Sequence, residues 1–315
     1  MKSKASAPGK IILFGEHFVV YGIKAILCTI DKRVTVTAEK TDEQKISINS
    51  AIGNLTVEPS QTITKIESPL KPFYFLANKI LQEQNQTGGI KITIDSEIPV
   101  GLGLGSSSAC CVAGAAAISG LFEKKTREDI LKIAIDAEKT IFKNTSGADC
   151  TVCTYGGIMQ YDVKNGFTKI NTDYNLEFVI GNSNTPHSTY EVVKRVKQFK
   201  DENKEEFSRL CEEESRLIQE VLVLLEQNKI KKLGEKMNQN QEYLEKIGIS
   251  NEKLREMIKL GQKSTYGAKI TGAGGGGCVI TLTDKTNQNH AINQFREHNH
   301  DCFEAKIDFE GLHTF

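Results

Sequence analysis

The sequence has no net charge to spare: 40 Lys and Arg balance 40 Asp and Glu. Nucleic acid and anionic membrane surfaces both select for a basic excess, so neither is an expected partner. No apolar run approaches the ~18 residues needed to span a bilayer. The first ten residues are polar where a signal peptide would carry an apolar stretch. The expectation is a soluble, cytoplasmic protein. Internal repeats and low-complexity linkers are also missing. A length of 315 residues therefore goes into one large domain or two of ordinary size.

Metal-cluster and disulfide signatures are equally thin. The eight cysteines (28, 110, 111, 150, 153, 211, 278 and 302) sit mostly inside apolar runs, where a free thiol packs as a small hydrophobe. Cys150 and Cys153 form a lone C-x-x-C without the second pair that a zinc ribbon requires. His298, His300 and Cys302 alternate near the end and read as a solvated loop leading into a strand. No disulfide and no structural metal is expected. The Walker pattern G-x-x-x-x-G-K-[ST] is absent, which excludes a P-loop nucleotide site.

What is present is concentrated in one stretch: Pro99, Val100, Gly101, Leu102, Gly103, Leu104, Gly105, Ser106, Ser107, Ser108 and Ala109. It follows an alternating, strand-like run at 89–95 and precedes an apolar helical run at 107–121. Glycines there let the backbone turn tightly and approach a ligand. The helix start beyond them offers unpaired N–H groups and the positive end of the dipole, so a nucleotide phosphate is the expected guest. A second run, Gly272–Gly277, satisfies G-x-G-x-x-G literally but precedes a strand instead of opening a helix, so it fails as a dinucleotide fingerprint. Apolar strand residues on both sides favour a loop held against something, able to present several N–H groups to a phosphate.

A kinase also needs a metal and a proton acceptor. Mg²⁺ takes oxygen ligands, and a hydroxyl from Ser106, Ser107 or Ser108 with a distant carboxylate would serve. Glu138, in an apolar helix, is one candidate, with a solvated surface Glu as the alternative. Asp149, in a polar turn at 144–151, could orient or deprotonate a hydroxyl, or could be an Asx-type turn residue. Lys10, at the start of the first strand, could neutralise phosphoryl charge or be an ordinary exposed lysine.

The pattern predicts strands at 10–14, 19–30, 34–38, 45–49 and 54–57, a helix at 72–84, and helices at 107–121 and 127–142, the latter capped by Thr126. Strands follow at 157–162 and 176–181. A charged helical region runs from 189 to 263, broken at Gly248 with Ser250 as the cap of its last stretch. Strands at 268–271 and 278–283, a helix at 289–297 and a strand at 302–308 close the chain. This order predicts an α+β protein of two lobes, residues 1–175 and 176–315.

Together these segments resemble the GHMP kinase superfamily, and within it the branch that phosphorylates mevalonate. Three motifs carry the resemblance in order: Pro8 to Gly22, with Gly-Glu-His followed by Val-Val-Tyr-Gly; Pro99 to Ser108; and Lys269 to Cys278. Ser146-Gly-Ala-Asp149 and Thr154-Tyr-Gly-Gly157 also fit. The resemblance implies Asp149 as catalytic aspartate and Lys10 as the lysine that polarises the hydroxyl. It implies Ser107 and Glu138 as Mg²⁺ ligands, residues 99–109 as the ATP loop, and Glu16, His17, His187, Gly274 and Gly275 near the substrate. The implied fold is a ribosomal protein S5 domain 2-like N-terminal lobe and a ferredoxin-like C-terminal lobe. ATP is the co-substrate, and a homodimer is compatible with the resemblance. Departures are His187 where the family has Arg, Ser108 where Ala is usual, and Ala148 where larger apolar residues are common. Other acceptors (phosphomevalonate, a sugar, homoserine) or a non-catalytic metabolite sensor are the alternative readings.

Overall fold

Small and branched residues in Lys2–Phe14 and a long β-branched run in Ala25–Thr41 form two extended strands, β1 and β2, paired antiparallel. The computed structural model describes residues 1–172, 175–186 and 188–315. β2 is long enough to pair twice on its other side: its first part with β6 (Ile158–Asp162) and its second with β5 (Gly89–Ser96). β5 continues parallel to β3 (Ile46–Ser50), which forms a hairpin with β4 (Gly53–Val57). β7 (Gly166–Ile170) pairs with β6.

Against this sheet pack α1 (Lys71–Glu83), α2 (Ser106–Ser119) and α4 (Ala148–Tyr155), and α3 (Arg127–Glu138) packs on those three helices. α2 is the central helix. Its Ala, Val, Gly and Cys side chains have little bulk, so the sheet and the other three helices all reach it and most of it is buried. That burial fixes α2, and with it the glycine loop at its start.

A second sheet holds β8 (Glu177–Asn182), β9 (Gly267–Thr271), β10 (Cys278–Thr283) and β11 (Asp301–Lys306) in the order β11-β8-β10-β9, antiparallel throughout. With α9 (Lys285–Glu297) between β10 and β11, this is the ferredoxin-like βαββαβ arrangement. Its first crossover is expanded into α5 (Thr189–Glu202), α6 (Lys204–Glu226), α7 (Ile230–Lys246) and α8 (Glu252–Ser264). The chain then returns to the first sheet, where β12 (His313–Thr314) pairs with β1. The α+β class is as expected.

Several local expectations differ. The strand foreseen from residue 19 begins only at Ala25, because Phe18–Tyr21 is a 3-10 turn. Phe18 is buried and stacks 6.1 Å from Phe207 of α6, a tertiary anchor that overrides β propensity. α3 ends at Glu138, not 142: the Ile141 and Phe142 N–H groups both close onto the Glu138 carbonyl, and Phe142 is left exposed with nothing to bury against. The turn foreseen at 144–151 becomes α4 from Ala148 on, because Cys150, Val152 and Cys153 all enter the core. Asn251, not Ser250, caps α8, its side chain accepting from Leu254 N–H at 2.8 Å. His300 lies in no solvated loop; it is buried edge-on to Phe295. The Thr126 cap on α3 is observed.

Candidate active site

Lys10 sits mid-β1 and is almost wholly buried. Its backbone N–H donates to the Leu104 carbonyl at 2.8 Å, which ties the strand to the glycine loop. Gly105 then passes directly over the lysine stem. Its φ is +74°, and a Cβ there would lie 2.7 Å from Lys10 Cγ, so no other residue fits. Gly101 and Gly103 face open space instead. α2 starts at Ser106 with Gly105 as its N-cap and no side-chain cap on its first N–H groups. Backbone donors at a helix start form an anion site by geometry and dipole together.

Asp149 lies in the first turn of α4 and meets Lys10: Nζ to Oδ2 is 3.1 Å. The two ends differ in environment. The lysine side chain is 5% exposed and the aspartate 36%, so the carboxylate opens toward solvent while the ammonium is held beneath it. Glu138, at the end of α3, is buried rather than a surface residue. Its Oε1 accepts from the Ser108 hydroxyl and its Oε2 from the Thr145 hydroxyl at 2.5 Å. Ser107, the serine singled out from the sequence, is half-buried in the first turn of α2; the hydroxyl that reaches Glu138 is that of Ser108.

The other two motifs close on the same region. Thr271 Oγ1 donates to the Ile12 carbonyl at 2.9 Å and accepts from its N–H at 3.0 Å, joining β9 to β1. His17 Nε2 lies 2.7 Å from the Ala273 carbonyl, and burial lowers its pKa. The glycine run hangs between these ties and α8: Gly275 N–H donates to the Ile249 carbonyl at 2.6 Å, and Asn251 donates to the Gly275 carbonyl at 3.0 Å. Gly274 has φ +74° and no room for a Cβ, which would sit 2.5 Å from Ile249 O. Gly272 approaches the glycine loop, where a Cβ on it would lie 4.0 Å from the Gly103 carbonyl.

Glu16 does not line the open cleft. Its side chain is fully buried and ion-paired to the equally buried Lys269 of β9. Lys269 also donates to the Ile270 carbonyl at 2.6 Å. Burial pushes the Glu16 carboxyl up and the Lys269 ammonium down, and their mutual attraction opposes both shifts. Close by, Glu214 of α6 accepts from Asn240 at 2.7 Å, and burial pushes its carboxyl up to about 7. Between its ordinary 4.5 and about 7 the folded chain keeps a proton that the unfolded chain has released, so stability falls as pH rises through that window. The effect is on the order of 3 kcal/mol. Glu214→Gln, neutral at every pH, is expected to be more stable than the parent in urea at pH 8, with the gain shrinking toward pH 5. A difference that stays constant with pH would contradict the assignment.

This constellation is shared with known proteins. Residues 72–157 match the GHMP kinases N terminal domain and residues 221–301 the GHMP kinases C terminal domain. The mevalonate kinase of Pyrococcus abyssi is 37% identical over 295 residues, covering 88% of each chain.

The chain belongs to the GHMP kinase family.

The mevalonate kinase of Methanocaldococcus jannaschii is 33% identical to this GHMP kinase, over 95% of this chain and 98% of that one. The crystal structure of the Methanococcus jannaschii mevalonate kinase superposes with a TM-score of 0.87 at 29% identity, covering 97% and 98% of the two chains. ATP is thus the kinase's co-substrate. The donor set also fits a hard cation. Glu138 is a buried carboxylate beside the hydroxyls of Ser108 and Thr145, an all-oxygen set of the kind Mg²⁺ takes. Of the residues singled out from the sequence, Lys10, Asp149, Glu138 and the serines converge beside the glycine loop. His17 and the 272–277 run flank it, Glu16 stands behind it, and His187 lies outside the described residues.

Sequence reasoning missed Lys269, Glu214 and Thr145. Two of them had a signal. Lys269 is a charge inside the apolar strand Gly267–Thr271, and Glu214 falls on the helix face of Phe207, Leu210, Leu217 and Ile218. A charged residue at a core position of a periodic pattern implies a buried partner.

Proposed function

We propose that this kinase transfers the γ-phosphoryl group of ATP to the 5-hydroxyl of mevalonate, in the cytoplasm, as a step of isoprenoid biosynthesis. The observation that carries the reading is the Lys10–Asp149 pair, 3.1 Å apart beside Gly105, where a loop able to hold phosphates meets a carboxylate open to solvent. The names of the most similar relatives supply the acceptor.

In this reading residues 1–175 bind ATP and residues 176–315 complete the acceptor side. The N–H groups of residues 101–108 hold the triphosphate. Asp149 accepts or aligns the proton of the primary hydroxyl as its oxygen bonds to the γ-phosphorus and the bond to ADP breaks. Lys10 offsets the charge that collects on the oxygens in flight. Glu138 and the hydroxyl of Ser107 would hold Mg²⁺, which when bound neutralises triphosphate charge. His17 holds the 272–277 run through Ala273, which supports Gly274 and Gly275 as acceptor-side residues. Most of the acceleration comes from positioning and charge neutralisation.

The test is ADP release from MgATP with mevalonate, phosphomevalonate, galactose and homoserine in turn. Turnover confined to mevalonate is the expected result. Turnover with a different acceptor would keep the mechanism and overturn the substrate, and none with any acceptor, ATP still binding, would favour a sensor.

A further inference from the structure

Glu138 is the last residue of α3, where the helix dipole places partial negative charge and disfavours a carboxylate. The side chain is nevertheless buried, and neither of its oxygens is left to chance. Ser108, from the second half-turn of α2, donates to Oε1; Thr145, from the loop before α4, donates to Oε2 at 2.5 Å. Thr145 does a second thing. Its Oγ1 accepts from Gly147 N–H at 3.1 Å, and Gly147 is the residue on which α4 starts, two positions before Asp149. One hydroxyl therefore touches both the carboxylate of the cation site and the backbone that aims the catalytic aspartate.

We infer that Ser108 and Thr145 are positioning residues: their hydroxyls set the orientation of the Glu138 carboxylate, and Thr145 couples that orientation to the start of α4 and hence to Asp149. The inference rests on the reading of Glu138 as the cation ligand. A carboxylate held from both oxygens by hydroxyl donors stays in one rotamer and keeps lone pairs free for a cation. A stabilising role alone would require the two hydroxyls to satisfy Glu138, but not the link from Thr145 to Gly147.

The test compares Ser108→Ala, Thr145→Val, Thr145→Ser, the Ala/Val double variant and Glu138→Gln. Mn²⁺ binding to the ADP complex is read by electron paramagnetic resonance, and kcat and KM for Mg²⁺ are read by turnover. The double variant is expected to weaken Mn²⁺ binding by about 10- to 100-fold, the usual cost of losing the partners of a metal ligand. Glu138→Gln should weaken it at least as far, and Thr145→Ser should restore it. Thr145→Val should lose more kcat at saturating Mg²⁺ than Ser108→Ala, because only Thr145 reaches α4. If the double variant folds and binds Mn²⁺ as the parent does while Glu138→Gln does not, the positioning role is wrong and the cation site stands. If Glu138→Gln also binds Mn²⁺ normally, both fall. Equal kcat losses for Thr145→Val and Ser108→Ala would remove the coupling to Asp149. Should the double variant fail to fold, the single variants and Thr145→Ser decide the matter.

Discussion

Asp149→Asn is expected to lower kcat by about 10²- to 10⁴-fold, the range that a positioned proton acceptor contributes. Asparagine keeps the shape of the side chain and its place in the first turn of α4, so positioning of the glycine loop should survive and ADP affinity should change little. What disappears is the lone negative oxygen 3.1 Å from Lys10 and its capacity to take a proton. The stability cost should be small, because the aspartate end of the pair is 36% exposed and water screens it. Kinetics and nucleotide binding measured on the same preparation check both halves. Turnover within a few-fold of the parent would remove Asp149 from the mechanism and leave Lys10 as the only group acting on the hydroxyl.

Lys269→Met should be the most destabilising single change at the site, at about 3 to 5 kcal/mol, the cost of stripping one partner from a buried ion pair. Lys269 and Glu16 are both fully buried; the lysine donates to Glu16 Oε1, and Oε2 has no hydrogen-bond partner among the described residues. Without the lysine, Glu16 would face Glu214, a second carboxylate whose ionisation burial already opposes. The double variant Glu16→Gln with Lys269→Met removes both charges and should recover most of the loss, since a neutral pair of similar volume often equals a buried ion pair. Urea unfolding of the four proteins yields the coupling directly. A cost below about 1 kcal/mol for Lys269→Met would mean that water or another group already compensates Glu16.

These two residues also bear on geometry. Glu16 follows β1 by two positions and Lys269 belongs to β9, so their contact clamps the first sheet to the second. The Thr271–Ile12 bonds and the His17–Ala273 contact reinforce the same seam. A seam that holds β1 holds Lys10, six residues before Glu16. Loss of the clamp should therefore reach activity as well as stability.

Much of this site could be read from the chain because its determinants are local. The glycine loop at 99–109 lies between an alternating strand and an Ala-rich helix, and only such a loop tolerates a left-handed Gly105 above a lysine stem. Lys10, Glu138 and Asp149 were each open to an ordinary reading from their neighbours, and it was the resemblance to the GHMP kinases that implied their roles.

What the chain alone left open turned on which way a side chain faces. A helix turns about 100° per residue, so choosing Ser108 over Ser107 as the partner of Glu138 needs the angle at which α2 lies against α3. Whether Glu16 lines the cleft or backs it depends on where β9 brings Lys269, 253 positions later. Whether 144–151 is a turn or a helix depends on core space for Cys150, Val152 and Cys153. The sequence by itself determined the fold class and the glycine loop ahead of α2, because glycine placement and hydrophobic period act over a few neighbours. Tertiary structure alone decided the buried ion pair, the hydroxyl clamp on Glu138 and the raised carboxyl of Glu214, because desolvation and pairing depend on what the rest of the chain packs against them.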